Sequence, residues 1–145
     1  MINNNRKDMV TIKVTVDWCG KNYAAYICDS RVGGVVLATS KTFNGLQKEA
    51  EESVRFQIEG CLHDGDDLPE DVRKGNYRLE FEKRMSALLH EVQQYTTLSA
   101  LSRVTGIRQA QLSHYANAVS QPRPPQRARI IEGLHKIGEY CMAVV

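Results

Sequence analysis

Gln109, Ala110, Ser113, His114 and Asn117 recur at i, i+1, i+4, i+5 and i+8, a spacing that gathers five side chains on one face of a helix. The side-chain amide of glutamine pairs a donor with an acceptor and fits the edge of adenine, while serine and asparagine can bond phosphate oxygens. Such a face suits double-stranded DNA. Arg108 stands directly before it, Arg123 and Arg127 follow, and no acidic residue occurs from Gly106 to Ile131. Charge alone also fits a solvated basic surface, so the residue types and their spacing carry the distinction.

Other chemistry has weaker support. Asp17, Asp29 and Glu49 are the carboxylates that could hold a pair of metal ions for phosphodiester cleavage. However, Asp17 falls on the polar side of an alternating run, Asp29 ends another, and Glu49 lies beside Glu51 and Glu52, as ordinary surface carboxylates do. Cys19, Cys28, Cys61 and Cys141 include no C-x-x-C pair and have no histidine at zinc-like spacing. Nothing marks Cys28 or Cys61 as an activated nucleophile, and Tyr23 and Tyr26 lack the interleaved basic residues of a base-stacking platform. The expectation is a binding protein, with no catalytic residue, no metal and no cofactor.

The two parts of the chain differ in charge. Residues 1 to 95 hold 13 Lys and Arg against 15 Asp and Glu, whereas residues 96 to 145 hold 6 against 2, so the positive balance coincides with the polar helix face. At 145 residues the chain can form one ordinary domain or two small ones. The opening MINNNRKDMV is too polar for a signal peptide and no apolar run approaches a membrane span, so a cytoplasmic location is expected.

The elements that must position these residues follow from periodicity. Thr11 to Trp18 alternates, with Ile12, Val14, Val16 and Trp18 on one side, and reads as a half-buried strand. Tyr23 to Cys28 and Val35 to Thr39 are β-rich runs divided by Gly33 and Gly34, which makes an antiparallel meander the simplest arrangement. Between Phe43 and Leu62, apolar Leu46, Ala50, Val54, Ile58 and Leu62 form a helical stripe predicted to lie across the sheet. His63 to Asp71 reads as an acidic loop, and Tyr77, Leu79 and Phe81 as a fourth strand. Met85, Leu88, Leu89 and Val92 then open a helical region, with a boundary near Glu82.

Within that region Thr97 can cap a helix through Leu98, Leu101 and Val104, Gly106 supplies a left-handed turn residue, and Ile107 is an apolar plug. Leu112, Tyr115 and Val119 form the predicted inner face of the next helix. Pro122, Pro124 and Pro125 end it, and Gln126 to Ile137 closes the chain as a helix bearing Ile130, Ile131, Leu134 and Ile137.

The stretch TLSALSRVTGIRQAQLSHYANAVSQPRPPQ resembles the helix-turn-helix of the lambdoid phage repressor (Xre-type) superfamily over about forty residues. That resemblance implies that Arg108, Gln109, Ala110 and His114 approach bases and that Ser113 and Asn117 approach phosphate. Leu98, Ser102 and Ala118 depart from the pattern, which more often has Gln, Ala and Gly there. The segments AAYICDSRVGGVVLATSKTFNGLQKEAEESVRFQIEG, LPEDVRKGNYRLEFE and RIIEGLHKIGEYCMAV resemble HicB-type antitoxins. This implies an α+β chain: a β-β-β-α-β, partial RNase H-like domain over residues 1–82 that binds a HicA-like toxin, and an all-α helix-turn-helix domain over 83–145 that binds operator DNA. The other reading is a stand-alone regulator whose first domain senses another protein or a ligand.

A homodimer or higher even oligomer is expected, because one short recognition helix reads few base pairs. Met85, Leu88, Leu89 and Val92 are its candidate interface, unless they pack within the helical domain. Glu59, Asp64, Asp66, Asp67, Glu70 and Asp71 form an acidic cluster that either steers a cationic partner or is simply a solvated loop.

Overall fold

A computed structural model describes residues 9–145. The chain is α+β and divides into two compact units, one containing the described residues up to Val16 with Lys21–Glu82, the other Asp17–Gly20 with Lys83–Val145. Neither unit is a continuous segment.

In the first unit, β1 (Val10–Trp18), β2 (Tyr23–Asp29), β3 (Gly34–Ser40) and β4 (Tyr77–Lys83) form one sheet in the order β3-β2-β1-β4. β2 and β3 pair antiparallel, with Tyr26 opposite Leu37 and Cys28 opposite Val35. β4 joins the other side by a crossover. The Val10 amide donates to the Asn76 carbonyl at 3.4 Å, and Lys13 meets Glu82 at 2.6 Å, so β1 and β4 begin at the same end and run parallel. Ile12, Val14 and Val16 are fully buried on one face of β1, as alternation requires.

The connection is α1 (Phe43–His63), whose first turn is capped by Thr42 Oγ1 accepting from the Gly45 amide at 3.0 Å. Leu46, Ala50 and Val54 are fully buried along it. The predicted stripe fails at its end, where Leu62 is exposed and Cys61 takes the buried position. Steps of four residues overshoot a helical turn by about 40°, so four such steps rotate Leu62 well away from Leu46. The segment read as an acidic loop also differs: Glu70–Arg73 forms a short helix, α2, anchored by buried Leu68 and Val72.

The second unit comprises α3 (Met85–Val92), α4 (Leu98–Thr105), α5 (Gln109–Ala116) and α6 (Pro124–Met142). Met85, Leu89, Leu101, Ile107, Leu112, Tyr115, Ala116 and Ile130 form its core, with Leu88 and Val92 packed against it. Met85, Leu88, Leu89 and Val92, the candidate dimer interface, therefore pack within the helical unit. α6 is longer than expected at both ends. Pro124 and Pro125 begin it rather than end the helix before, since a first-turn position needs no intrahelical amide donor.

Residues Asp17–Gly20 are integral to this unit. Ser86, fully buried, accepts from the Trp18 amide at 2.9 Å and donates to Asp17 Oδ1 at 3.1 Å, while Trp18 stacks on His90 with ring centroids 3.5 Å apart.

Candidate nucleic-acid interface

The geometry between α4 and α5 is set by three small side-chain bonds around one glycine. Thr97 Oγ1 accepts from the Ala100 amide at 3.0 Å and starts α4. At its end Gly106 takes φ 73°, a left-handed conformation that costs a residue with a Cβ about 1 to 2 kcal/mol. Thr105 Oγ1 donates to the Leu101 carbonyl at 2.7 Å and accepts from the Ile107 amide at 3.2 Å. Ser102 Oγ donates to the Ile107 carbonyl at 2.6 Å. The reversal is thus hydrogen-bonded from both sides, and Ile107, 4% exposed, seals it beneath.

From there α5 buries Leu112, Tyr115 and Ala116 and turns the other side outward. Gln109, Ala110, His114 and Asn117 are exposed and Ser113 is half-buried, so the five lie together along one helix face. Asn117 Nδ2 donates to the Ser113 carbonyl at 3.0 Å and to its hydroxyl oxygen at 3.3 Å. Because that hydroxyl already accepts, its own hydrogen remains free to donate outward. Arg108 is exposed at the start of α5, where no side chain caps the first amides.

Val119, expected to face inward, is 69% exposed. The reason is Ala118, which adopts φ 57°. Its amide donates to the Tyr115 carbonyl and the Val119 amide to the His114 carbonyl, a two-bond C-terminal reversal that carries Val119 off the helix direction before it can complete the inner face.

The arginines separate. Arg123 lines a groove together with Gln111 and Tyr115 of α5, whereas Arg127 lines a different one with Ile131 and His135 along α6. Arg129 lies in the same acid-free stretch and adds a further positive charge. A Cβ built on Gly106 would come within 3.0 Å of its guanidinium Nη2, which therefore lies over the α4–α5 reversal. No spacing rule predicts this, because it follows from the packing of α6 against α4.

Of the carboxylates considered for metal chemistry, Asp17 belongs to the second unit and Asp29 and Glu49 to the first. Asp17 holds Ser86 and approaches Arg84 at 3.5 Å. Asp29 caps the turn Ser30–Val32 and pairs with Arg31, whose guanidinium holds that carboxyl below its ordinary range. Glu49 is exposed on α1. Burial pushes the Cys61 thiol up, with Asp66 adding to the effect, which disfavours the reactive thiolate. Among the described residues no three His, Cys, Asp or Glu side chains group as a metal site, and no helix is long and apolar enough to cross a membrane. Comparison with protein-family models, curated proteins and solved structures finds no match.

Proposed function

We propose that this chain is a HicB-type antitoxin: α4 and α5 form a helix-turn-helix that binds operator DNA, and the sheet unit, a partial RNase H-like fold, holds a HicA-like toxin. One observation carries the DNA-binding half. A hydrogen-bonded reversal at Gly106 presents Gln109, Ala110, Ser113, His114 and Asn117 on the outer face of a helix whose other side is core, inside a segment free of acidic residues.

Arg108, Gln109, Ala110 and His114 lie nearest the bases in this reading. Gln109 bonds a base edge through its paired donor and acceptor, and Ser113 and Asn117 bond phosphate. Arg123, Arg127 and Arg129 supply charge to the backbone, and displaced counterions make the affinity salt-dependent. The toxin-binding half rests on the sequence resemblance and on the acidity of the sheet unit. Glu59, Asp64, Asp66, Asp67, Glu70 and Asp71 are all exposed and would attract a cationic ribonuclease, whose inhibition by burial requires no reaction here.

A mobility-shift assay on the DNA upstream of the gene tests the reading. Wild type binds a specific site, and Gln109→Ala with Ser113→Ala loses the preference over random DNA. Unchanged affinity and preference in that double variant would reject α5 as the reading helix.

A further inference from the structure

Among the described residues the sheet ends at β3, with no further strand beyond it. β3 is the outer strand, and its seven residues, Gly34–Ser40, contain no charge and no proline, the features that commonly keep an edge strand from pairing. Both sides of this edge are apolar. On the open face of the sheet Val35 and Leu37 are 53% and 66% exposed, and Tyr26 stands opposite Leu37. On the helix side Phe56 of α1 is 78% exposed, beside a groove of about 520 Å³ lined by Val35, Leu37, Glu49, Glu52 and Phe56 among others. Isolated exposed apolar residues need no explanation, but three around the outer edge of one strand form a surface suited to a partner.

Charge narrows the choice of occupant. Glu49, Glu52, Ser53, Phe56 and Gln57 form the flank of α1 that borders the groove, and it contains two carboxylates and no cation. Gly45 lies against Ser40 and Gln57 donates to the Gly33 carbonyl, so the carboxylates between those points lie alongside the middle of β3. A second copy paired antiparallel about Leu37 would bring Glu49 and Glu52 of both chains around one axis, where like charges repel. An acidic flank also repels nucleic acid.

We infer that β3 and the Glu49–Phe56 flank of α1 form the docking groove for a small basic protein, which adds one of its own edge strands to β3. Side chains of an added strand alternate between two faces. One set packs on Val35, Leu37 and Tyr26; the other packs on Phe56 and carries Lys or Arg toward Glu49 and Glu52. The inference rests on the proposed antitoxin reading and specifies the surface that would hold the toxin.

The test uses the full chain and the purified product of the adjacent reading frame, with binding followed by surface plasmon resonance. Leu37→Lys and Phe56→Lys change exposed side chains, so their circular dichroism and thermal unfolding should match wild type. Each should weaken the complex tenfold or more, chiefly through faster dissociation, and Glu49→Lys combined with Glu52→Lys should slow association at low salt. If wild type binds and all these variants bind equally well, the groove assignment is wrong and the antitoxin reading stands. If wild type does not bind the adjacent product, that reading falls, and with it the occupant assigned here. A wild-type dimer in light scattering that Leu37→Lys dissociates would give the edge to a second copy and overturn the proposal.

Discussion

The hydroxyl of Ser102 donates to the carbonyl oxygen of Ile107 at 2.6 Å, joining α4 to the residue just past the reversal. This serine departs from the alanine usual in the resembling family, yet it stiffens the turn through a bond that alanine cannot make. Ser102→Ala should therefore cost about 1 kcal/mol, the ordinary net value of such a bond, seen as a lower urea midpoint at unchanged slope. It should also weaken DNA binding more than that stability loss explains, since the bond helps fix the angle between α4 and α5. Equal DNA affinity in the variant would show that packing around Ile107 alone sets the angle.

Ala118 offers the opposite sign. With φ 57° it is the non-glycine residue that the described backbone holds in the left-handed region. The conformation costs alanine about 1 to 2 kcal/mol, while glycine would lose about 0.5 to 1 kcal/mol more entropy on folding, so Ala118→Gly should stabilise by about 0.5 to 1 kcal/mol. A rise in the melting temperature checks it. Gly106→Ala at φ 73° should destabilise by a similar amount.

How much of this was legible from sequence differs between elements, for physical reasons. Alternation in β1 and the stripe from Leu46 to Ile58 reflect a single buried face with a local period, so the sequence displays them directly. Thr97 and Gly106 were legible because capping and left-handed backbone depend on a few neighbouring residues. By contrast, Ala118 carries no glycine signal, so periodicity places Val119 on a helix face that the chain has already left. The bond between Asp17 and Ser86 spans 69 positions, and no pattern in either segment announces it. The same holds for Arg129 above Gly106, which depends on how two helices pack.

That long-range bond predicts the behaviour of a truncated protein. A fragment beginning at residue 83 contains α3 to α6 but lacks Asp17 and Trp18, so the Ser86 hydroxyl, fully buried in the whole chain, loses both of its partners there. Each lost bond removes about 0.5 to 1.5 kcal/mol, and His90 also loses its stacked ring. The fragment should unfold at lower urea than this unit does in the full chain. Ser86→Ala should destabilise the full chain while changing the fragment little, because the fragment already lacks both bonds.

Asp29 and Arg31 predict a pH dependence with a definite sign. The guanidinium holds the folded-state carboxyl below its ordinary value, so ionisation favours the folded state at any pH above the unfolded value, about 4. The contribution fades as pH falls through the lowered folded value. Asp29→Asn should therefore lower the urea midpoint at pH 7, and the gap from wild type should close as the pH is lowered below the unfolded value. A gap that stayed constant would mean that the cap on the Arg31 amide matters and the charge does not.

The arginines should separate in a salt titration of DNA binding. Arg123 shares its groove with Gln111 and Tyr115 of the proposed recognition helix, whereas Arg127 lines another groove with Ile131 and His135. A cation beside the reading helix neutralises a phosphate on every sequence, and each lost contact reduces the slope of log affinity against log salt by about 1. Arg123→Ala should show that reduction and weaken specific and random DNA alike, while Arg127→Ala should change the slope less. Gln109→Ala should leave the slope intact and cost about 1 to 3 kcal/mol only on the specific site, because it removes a base contact and no charge. If Arg127→Ala has the larger effect on slope, the DNA backbone follows α6 along the Arg127 side, and the orientation inferred from α5 must be turned accordingly.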